Sequence, residues 1–305
     1  MSAKIIAVAN MKGGVGKTAT VVSMAEALAA SGYRVLVIDL DAQANASICL
    51  AGDALLATLM ARQATIEGFL HDRLLGKRQM SLADCIRNNV SNVSHLNKQL
   101  AISLLPSSPE LRNFEQLLIY ELTKAKMSWA DIVNSLAAVM STHLGKARKA
   151  YDFVLIDCAP GISALTEVSI RLADLIIVPT IADFLSTFGL QNFCATMSSR
   201  GLSEQVRRPA RPPYVLITRR RQVRIHAETA AMLRDEALAD KPAFAMFNTE
   251  IPETVAIGDA LGQTVDAPSA KAKYPIFSQK WGPIVVPLLQ DLVDELTEVL
   301  DVDRA

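Results

Sequence analysis

Short runs of apolar residues, many of them β-branched, alternate with longer segments of helical character along the 305-residue chain. Because these runs are apolar throughout rather than at every second position, they predict buried parallel strands that are covered on both faces. The predicted strands are residues 5–9, 35–40, 101–105, 153–156, 175–178 and 214–217. We therefore expect an α/β fold, a doubly wound and mostly parallel sheet flanked by helices, with its ligand at the carboxyl ends of the strands.

The rest of the pattern predicts a single domain over residues 1–305, with a mainly helical insertion at about 51–100 and a C-terminal helix at about 287–301. Half of the residues are hydrophobic, which is enough for one large core. The last helix has an apolar side and an acidic side, and anionic lipid repels an acidic face. We expect this helix to pack on the sheet and not to anchor the chain to a membrane.

The composition of the chain argues against several classes of protein. The formal net charge is zero, so attraction to nucleic acid or membrane requires a local patch. The four cysteines are widely spaced and form no Cys-x-x-Cys pair, which argues against zinc and iron–sulfur sites. The N-terminus lacks a signal-peptide pattern, so a cytoplasmic location is expected.

Residues 12–18, Lys-Gly-Gly-Val-Gly-Lys-Thr, form a glycine-rich loop between the first predicted strand and a helical run at 18–30. The glycines let successive backbone N–H groups face a phosphate chain at the start of a helix. In a P-loop, Lys17 would reach the β- and γ-phosphates and Thr18 would bind Mg²⁺. The sequence departs from the ordinary P-loop motif at Met11, where that motif has glycine. The alternative to a P-loop is a glycine-rich turn whose lysines lie in solvent.

Carboxylates end two of the predicted strands. Asp157 closes an apolar strand in the manner of a Walker B acid that holds Mg²⁺ through water, although a strand-end aspartate also caps helices in many folds. Asp39 and Asp41 follow the second strand. Since residues two apart in an extended segment point the same way, both are expected to face the phosphates. One would support the metal while the other orients the attacking water.

Residues 9–18, 39–45 and 157–161 together resemble the deviant Walker A ATPases of the ParA/MinD family, and ParA-type partitioning ATPases most of all. Segments 105–108 and 251–253 resemble the same family, so the likeness runs from residue 5 to about 260. It implies a P-loop NTPase fold that binds ATP or ADP with Mg²⁺. It also implies a homodimer in the ATP-bound state, in which Lys12 crosses to the nucleotide of the other subunit and acts as an arginine finger does.

The resemblance assigns roles residue by residue. Asp41 matches the water-activating acid, Asp39 the metal-side acid and Asn45 the asparagine that closes this loop. The implied catalytic residues are Lys12, Lys17, Asp41 and Asn45, and the implied metal-binding residues are Thr18, Asp39 and Asp157. The implied nucleotide contacts are Lys12, Gly13, Gly14, Val15, Gly16, Lys17, Thr18, Ala19, Thr218, Arg219 and Pro252. The chain departs from the family at Ala42, Ala44 and Ala159, where proline, glycine and proline are common.

Residues 207–224 contain seven arginines and no acid. One interpretation is a surface that contacts the DNA backbone without sequence preference. The arginines assigned to it are Arg207, Arg208, Arg211, Arg220, Arg221 and Arg224. The alternative is a solvated loop whose arginines pair with acids elsewhere or touch the nucleotide, and Arg219, at a strand end, fits the second possibility best.

These features predict a weak ATPase that dimerises on Mg-ATP, binds nonspecific DNA and positions a plasmid, a chromosome locus or a protein cargo on the nucleoid. A ParB-like or other adaptor would stimulate its hydrolysis. Two alternatives remain: a MinD-like positioning ATPase without DNA binding, and a P-loop small-molecule kinase. A GTPase is disfavoured because the chain has no Asn/Thr-Lys-x-Asp segment to recognise guanine.

Overall fold

A seven-stranded parallel sheet forms the centre of the protein. The computed structural model describes residues 3–77, 79–198, 211–262 and 276–302. The strands of this sheet are β1 (Lys4–Val8), β2 (Val35–Leu40), β5 (Ile102–Leu105), β6 (Phe153–Cys158), β7 (Leu175–Ile181), β8 (Tyr214–Arg220) and β9 (Ala245–Pro252), while β3 (Ser94–His95) and β4 (Lys98–Gln99) pair as a separate antiparallel hairpin. Their order, β5-β2-β6-β1-β7-β8-β9 with parallel pairing throughout, confirms the predicted fold class.

Helices cover both faces of this sheet. They are α1 (Lys17–Ala30), α2 (Asn45–Ala61), α3 (Ile66–Leu74), α4 (Leu82–Cys85), α5 (Glu110–Lys124), α6 (Trp129–Ala147), α7 (Ala164–Leu172), α8 (Phe184–Thr187), α9 (Leu190–Ser198), α10 (Arg224–Ala237), α11 (Val255–Gly262) and α12 (Phe277–Val299). Alternate residues of β1 belong to different cores: Ile5 and Ala7 pack with α3, α5, α6 and α7, whereas Ile6 and Val8 pack with α1 and α12. This double burial is why the strands are apolar at every position.

All six predicted strands are present, with ends shifted by a few residues. The sequence analysis missed β9, because its second half carries Asn248, Thr249 and Glu250 and has no continuous apolar run. It also missed the β3–β4 hairpin inside the predicted helical insertion. The first helix of that region, α2, begins at Asn45 and so lies closer to the strand-end acids than the predicted boundary at residue 51.

The C-terminal helix α12 is longer than predicted. It begins at Phe277 and not at Pro287, and it contains a break at Gly282, which has φ 73°. Proline is favoured in the first turn of a helix, so Pro287 was a plausible but wrong starting point. The expected packing on the sheet is confirmed, because Leu289, Leu292 and Leu296 are buried in the same core as β1.

The acidic side of α12 also contacts the sheet. Glu295 accepts hydrogen bonds from the backbone N–H groups of Asn248 (2.6 Å) and Thr249 (2.8 Å) on β9. Within the ranges that the structure describes, no helix combines the length and the hydropathy needed to cross a membrane.

Candidate functional site

The glycine-rich loop joins β1 to α1 at the carboxyl edge of the sheet. Gly14 (φ 75°) and Gly16 (φ 87°) have left-handed backbone conformations that favour glycine. Asn10 holds the loop on the neighbouring strand: its Nδ2 donates to the Pro179 carbonyl (2.8 Å), and its Oδ1 accepts from the Lys12 N–H (3.0 Å). A Cβ added at Gly13 or Gly14 would meet nothing within 4 Å, so this side of the loop is an open cradle in front of a helix N-terminus.

The two lysines of the loop occupy different environments. Lys17 is buried, with 7% of its surface exposed, and its Nζ bridges the loop to the Lys12 carbonyl at 2.8 Å. Burial lowers the pKa of Lys17, while the charges of Asp157 and Asp41 act in the opposite direction. Lys12 is half-buried, and its ammonium makes no ion pair with any residue that the structure describes.

Asp157, at the end of β6, lies beside the loop as the Walker B interpretation requires. Its Oδ2 accepts a hydrogen bond from the Thr18 hydroxyl at 2.8 Å. Its Oδ1 is buried and has no hydrogen-bond partner among the described residues. Burial, and next the charge of Asp39, raise the pKa of Asp157 well above its ordinary value. A hydrated Mg²⁺ would satisfy the bare oxygen and compensate its charge, so Thr18 and Asp157 fit that metal.

Asp39 is paired with Asp157 in the sheet, and both of its oxygens accept hydrogen bonds within the protein. Its Oδ2 accepts from the Ser47 N–H (2.8 Å) and hydroxyl (2.7 Å), and its Oδ1 accepts from the Asp41 N–H (3.0 Å). Burial raises the pKa of Asp39 to about 6, although these hydrogen bonds oppose the shift. Ser47, in the first turn of α2, supplies two of these donors, and a carboxylate is stabilised at a helix N-terminus. Asp39 therefore fixes the loop after β2, and three protein donors occupy its two oxygens.

The loop after β2, residues 39–45, is called the acidic loop below. Asp41 is partly exposed, and its Oδ1 accepts from the Gln43 N–H at 2.9 Å. Ala44 is buried with φ 52°, a left-handed conformation that favours glycine, and the exposed Asn45 begins α2. Position 44 is one of the departures from the ParA/MinD family pattern, in which glycine is common there, and this backbone conformation explains why glycine suits it.

A cavity of about 290 Å³, called the P-loop cavity, opens beside Gly16 on the other side of the loop. Three of the predicted nucleotide contacts, Ala19 of α1, Arg219 and Pro252, line this cavity, and apolar residues of α11 and α12 form its floor. The sequence analysis missed the floor residues Ile257, Leu261, Trp281, Val285, Leu289 and Leu292. Their apolar helical spacing is indistinguishable from that of ordinary core residues, so no sequence signal marked them.

Two of the predicted nucleotide contacts hold the loop itself. The buried Thr218 hydroxyl donates to the Val15 carbonyl at 2.7 Å, which fixes the loop against β8. Arg219 has φ 50°, donates from Nη1 to the Gly14 carbonyl at 3.2 Å and pairs with Glu253 at 2.6 Å. Glu253 also lines the P-loop cavity, so this ion pair links the phosphate side of the site to the cavity.

The fold supplies acids to the arginine-rich segment. Arg207 and Arg208 lie outside the described residues. The other four arginines assigned to DNA all have a carboxylate partner: Arg211 pairs with Asp301, Arg220 with Glu250, Arg221 with Glu253 and Arg224 with Glu228. Hydrogen bonds from Arg221 and Arg219 lower the pKa of Glu253 to about 2. In the single chain, these four arginines therefore fit the alternative interpretation, in which the arginines of this segment pair with acids and do not contact DNA.

The glycine loop, the paired lysines and the strand-end acids define a P-loop nucleotide-binding protein of the deviant Walker A type. The family model that matches residues 3–206 is described as an AAA domain, AAA_31, and it spans most of the chain. The chain belongs to this family, whose members include the ParA and Soj partitioning proteins, and the predicted resemblance is confirmed.

Similar proteins include the chromosome partitioning protein ParA of Caulobacter vibrioides, 30% identical over 64% of this chain and 62% of that protein. The sporulation initiation inhibitor protein Soj of Bacillus subtilis is 28% identical over 64% of each chain. The chain thus matches less than two thirds of the length of these relatives.

Among solved structures, Cyanothece McdA in complex with ATP has the same fold, with a TM-score of 0.66, 19% identity and coverage of 100% of this chain and 98% of that one. Cobyrinic acid a,c-diamide synthase of Mycobacterium smegmatis, with a bound ATP analogue and magnesium, has a TM-score of 0.60 and 25% identity and covers 90% of this chain and 98% of that one.

Proposed function

We propose that this chain is a Mg-ATP-dependent ATPase that positions a DNA or protein cargo. Two copies of the chain form a dimer in which each subunit completes the ATP site of the other. The observation that carries the proposal is the second lysine. Lys17 already fills the ordinary P-loop position, whereas Lys12 lies at the rim of the open cradle and is paired with no described acid. A cation at the rim of one subunit is suited to contact a phosphate group that is bound in the other subunit.

Each group of the site has a chemical part in this proposal. Lys17 and the backbone N–H groups of the loop would bind the β- and γ-phosphates, and Thr18 with Asp157 would hold Mg²⁺. The metal would neutralise charge on the phosphates. Asp41 would orient the attacking water, since its carboxylate lies on the partly exposed acidic loop while Asp39 fixes that loop from below.

Lys12→Ala tests the proposal directly. We expect nucleotide binding to persist and hydrolysis to fall by about a thousandfold or more, the range measured for arginine fingers. Lys98→Ala, which removes an exposed lysine of the β3–β4 hairpin, is the matched control. Unchanged hydrolysis by Lys12→Ala would contradict the cross-subunit role.

A mixing experiment separates a two-subunit site from the kinase alternative. Neither Lys12→Ala nor Asp41→Ala alone should hydrolyse ATP at the parent rate. In a mixed dimer, the Lys12→Ala subunit keeps its own Asp41 and receives Lys12 from its partner, so one intact site returns. We expect hydrolysis to recover on mixing. A kinase, or a synthase such as the M. smegmatis enzyme, that used a site within one subunit would show no recovery.

Nonspecific DNA binding is the less supported part of the proposal. Around β8 and β9, five arginines (Arg219, Arg220, Arg221, Arg224 and Arg234) face three glutamates (Glu228, Glu250 and Glu253). The surface keeps an excess of positive charge, which favours DNA, but every one of these arginines is paired. That pairing favours the second candidate, a positioning ATPase that does not bind DNA.

A salt titration of DNA binding with and without ATP distinguishes the two candidates. The DNA-binding candidate predicts a steeper dependence of affinity on salt in the ATP state, because a dimer presents two surfaces. Arg221→Ala with Arg224→Ala should then reduce the slope, whereas Arg34→Ala, at a pair remote in sequence from this segment, should not. Equal slopes and affinities in both nucleotide states would favour the candidate without DNA binding.

A further inference from the structure

A second cavity, of about 580 Å³, lies between α3 and α5. We call it the Glu67 cavity. Its walls combine apolar groups, among them Met60, Phe114 and Leu117, with the carboxylates of Glu67, Asp72 and Glu110. His71 and Lys77 also line it, so acids outnumber the permanent cations among its lining residues. Alternating apolar walls and carboxylates suit a ligand with an aliphatic stem and a cationic head.

Glu67 is the buried acid of this cavity, and it forms no ion pair with any residue that the structure describes. Only 8% of its surface is exposed. Its Oε1 accepts a hydrogen bond from the Ser108 hydroxyl, whereas its Oε2 is buried with no hydrogen-bond partner in the part of the chain that the structure describes. Burial raises the pKa of Glu67, while hydrogen bonding by Ser108 and Thr65 acts in the opposite direction. A buried carboxylate oxygen without a donor is costly, and an arriving cation would offset that cost.

The walls around Glu67 are held firmly in place. The N–H of Ile66, the first residue of α3, donates to the Pro106 carbonyl at 2.8 Å, and Thr65 caps the helix by accepting from the Gly68 N–H. A Cβ at Gly68 would lie 2.2 Å from the Gln63 carbonyl oxygen, so α3 packs closely on the preceding turn. The cavity is therefore built into the fold before any ligand arrives.

A chain of hydrogen bonds leads from Glu67 to the acidic loop. Ser108 donates to Glu67, and the N–H of the adjacent Ser107 donates to the Ser47 hydroxyl at 3.1 Å. Ser47 in turn donates to Asp39, which accepts from the Asp41 N–H. All three serines are buried. A displacement at Glu67 thus has a continuous route to the residue proposed to orient water.

We propose that the Glu67 cavity binds one arginine or lysine side chain of a partner protein, with the cationic head on Glu67 and the stem against Phe114 and Leu117. Binding acts on the acidic loop through Ser108, Ser107 and Ser47. This regulatory step rests on the proposed ATPase function, whereas the binding step does not.

Binding is tested on the full chain without nucleotide, by NMR titration at neutral pH. The probes are Nα-acetylarginine amide and its uncharged counterpart Nα-acetylcitrulline amide. We expect the parent protein to prefer the arginine probe by at least about tenfold, the effect of one well-placed charge pair. Glu67→Gln should abolish the preference, and Glu110→Gln, which changes an exposed acid of the same cavity, should retain most of it.

A second variant keeps the test decisive if Glu67→Gln fails to fold. Leu117 is 41% exposed at the cavity, so Leu117→Lys is expected to fold and to place a tethered cation where the probe would bind. It should abolish probe binding. No preference in the parent protein, or a preference that survives in both variants, would overturn the proposal.

The regulatory step has its own readout. Saturating arginine probe should change the rate of ATP hydrolysis by the parent protein, and Ser47→Ala should bind the probe yet lose that change. A protein that binds the probe but never hydrolyses ATP would contradict the proposed function and leave the cavity assignment intact. Hydrolysis with no probe binding would do the reverse.

Discussion

Buried charged side chains in two parts of α1 differ in how completely they are paired. In the middle of the helix, Glu26 is 1% exposed, and both of its oxygens have donors: Lys280 Nζ at 2.6 Å and Trp281 Nε1 at 2.7 Å. At the N-terminal end, Lys17 donates to a backbone carbonyl, and the nearby Asp157 keeps one oxygen bare. A fully paired charge stabilises a particular packing, whereas an incompletely paired one is suited to receive a ligand.

The largest expected effect is at the paired end. Glu26→Ala leaves the Lys280 ammonium buried without its carboxylate and should lower the free energy of unfolding by about 3–5 kcal/mol. Replacing both partners together, as Glu26→Leu with Lys280→Met, should cost much less because no buried charge is left unpaired. Urea denaturation of the two variants measures the difference, and equal losses would contradict this view of the pair.

Lys17→Ala tests the other end of the same helix. Loss of charge-assisted hydrogen bonds to phosphate should weaken ATP binding by about tenfold to a hundredfold. Stability without nucleotide should stay the same or rise, since burial disfavours this lysine in its charged form. Binding of a fluorescent ATP analogue and urea denaturation measure the two quantities. A loss of stability as large as that of Glu26→Ala would remove the contrast between the two ends.

Asp157→Asn should increase the stability of the protein and remove the dependence of nucleotide binding on Mg²⁺. Removing a buried charge with a bare oxygen is expected to raise the free energy of unfolding by about 1 kcal/mol. Nucleotide binding should lose its dependence on Mg²⁺, which calorimetric titration with and without the metal would reveal. Asp152→Asn provides the control, because that acid pairs with Arg34 at the partly exposed end of the sheet. A less stable Asp157→Asn protein would mean that this carboxylate is structural.

Ala44→Gly gives the smallest expected effect. Relief of the left-handed backbone at Ala44 should stabilise the protein by about 0.5 kcal/mol, because part of the gain is offset by the extra conformational entropy that glycine loses on folding. Ala46→Gly, two residues later within α2, should destabilise it by a similar amount, since glycine is unfavourable inside a helix. Thermal unfolding of the two variants compares them. Destabilisation by both would show that the conformation of Ala44 carries no strain.

The sequence predicted the sheet well because each central strand is buried on both faces and therefore uniformly apolar. Lys12, Lys17 and Thr18 were predicted because a phosphate loop needs glycines at fixed spacing, which is visible in a sequence. Asp157 was predicted from its position at the end of an apolar strand. The sequence could not show that Asp39 accepts a hydrogen bond from the first turn of α2, because that contact exists only in the folded chain.

The arginine-rich segment shows the opposite limitation. No acid occurs between residues 207 and 224. Of the acids that the fold brings to these arginines, Glu250 lies in β9, a strand that was not predicted, and Glu253 directly follows it. Charge in a segment can be counted from a sequence, but its neutralisation across neighbouring strands cannot. Glu67 was missed for a related reason, because a buried acid with one unpaired oxygen has no local sequence pattern.

The position of the P-loop cavity bears on where this protein can be divided. The family match ends at residue 206, before β8, β9, α11 and α12. Those later elements supply most of the cavity wall and the Lys280–Trp281 partner of Glu26. A fragment cut at the family boundary would keep the phosphate cradle but expose β7 as an unprotected edge strand and leave Glu26 unpaired. It would be expected to aggregate, so the folding unit extends well beyond the segment by which the family is recognised.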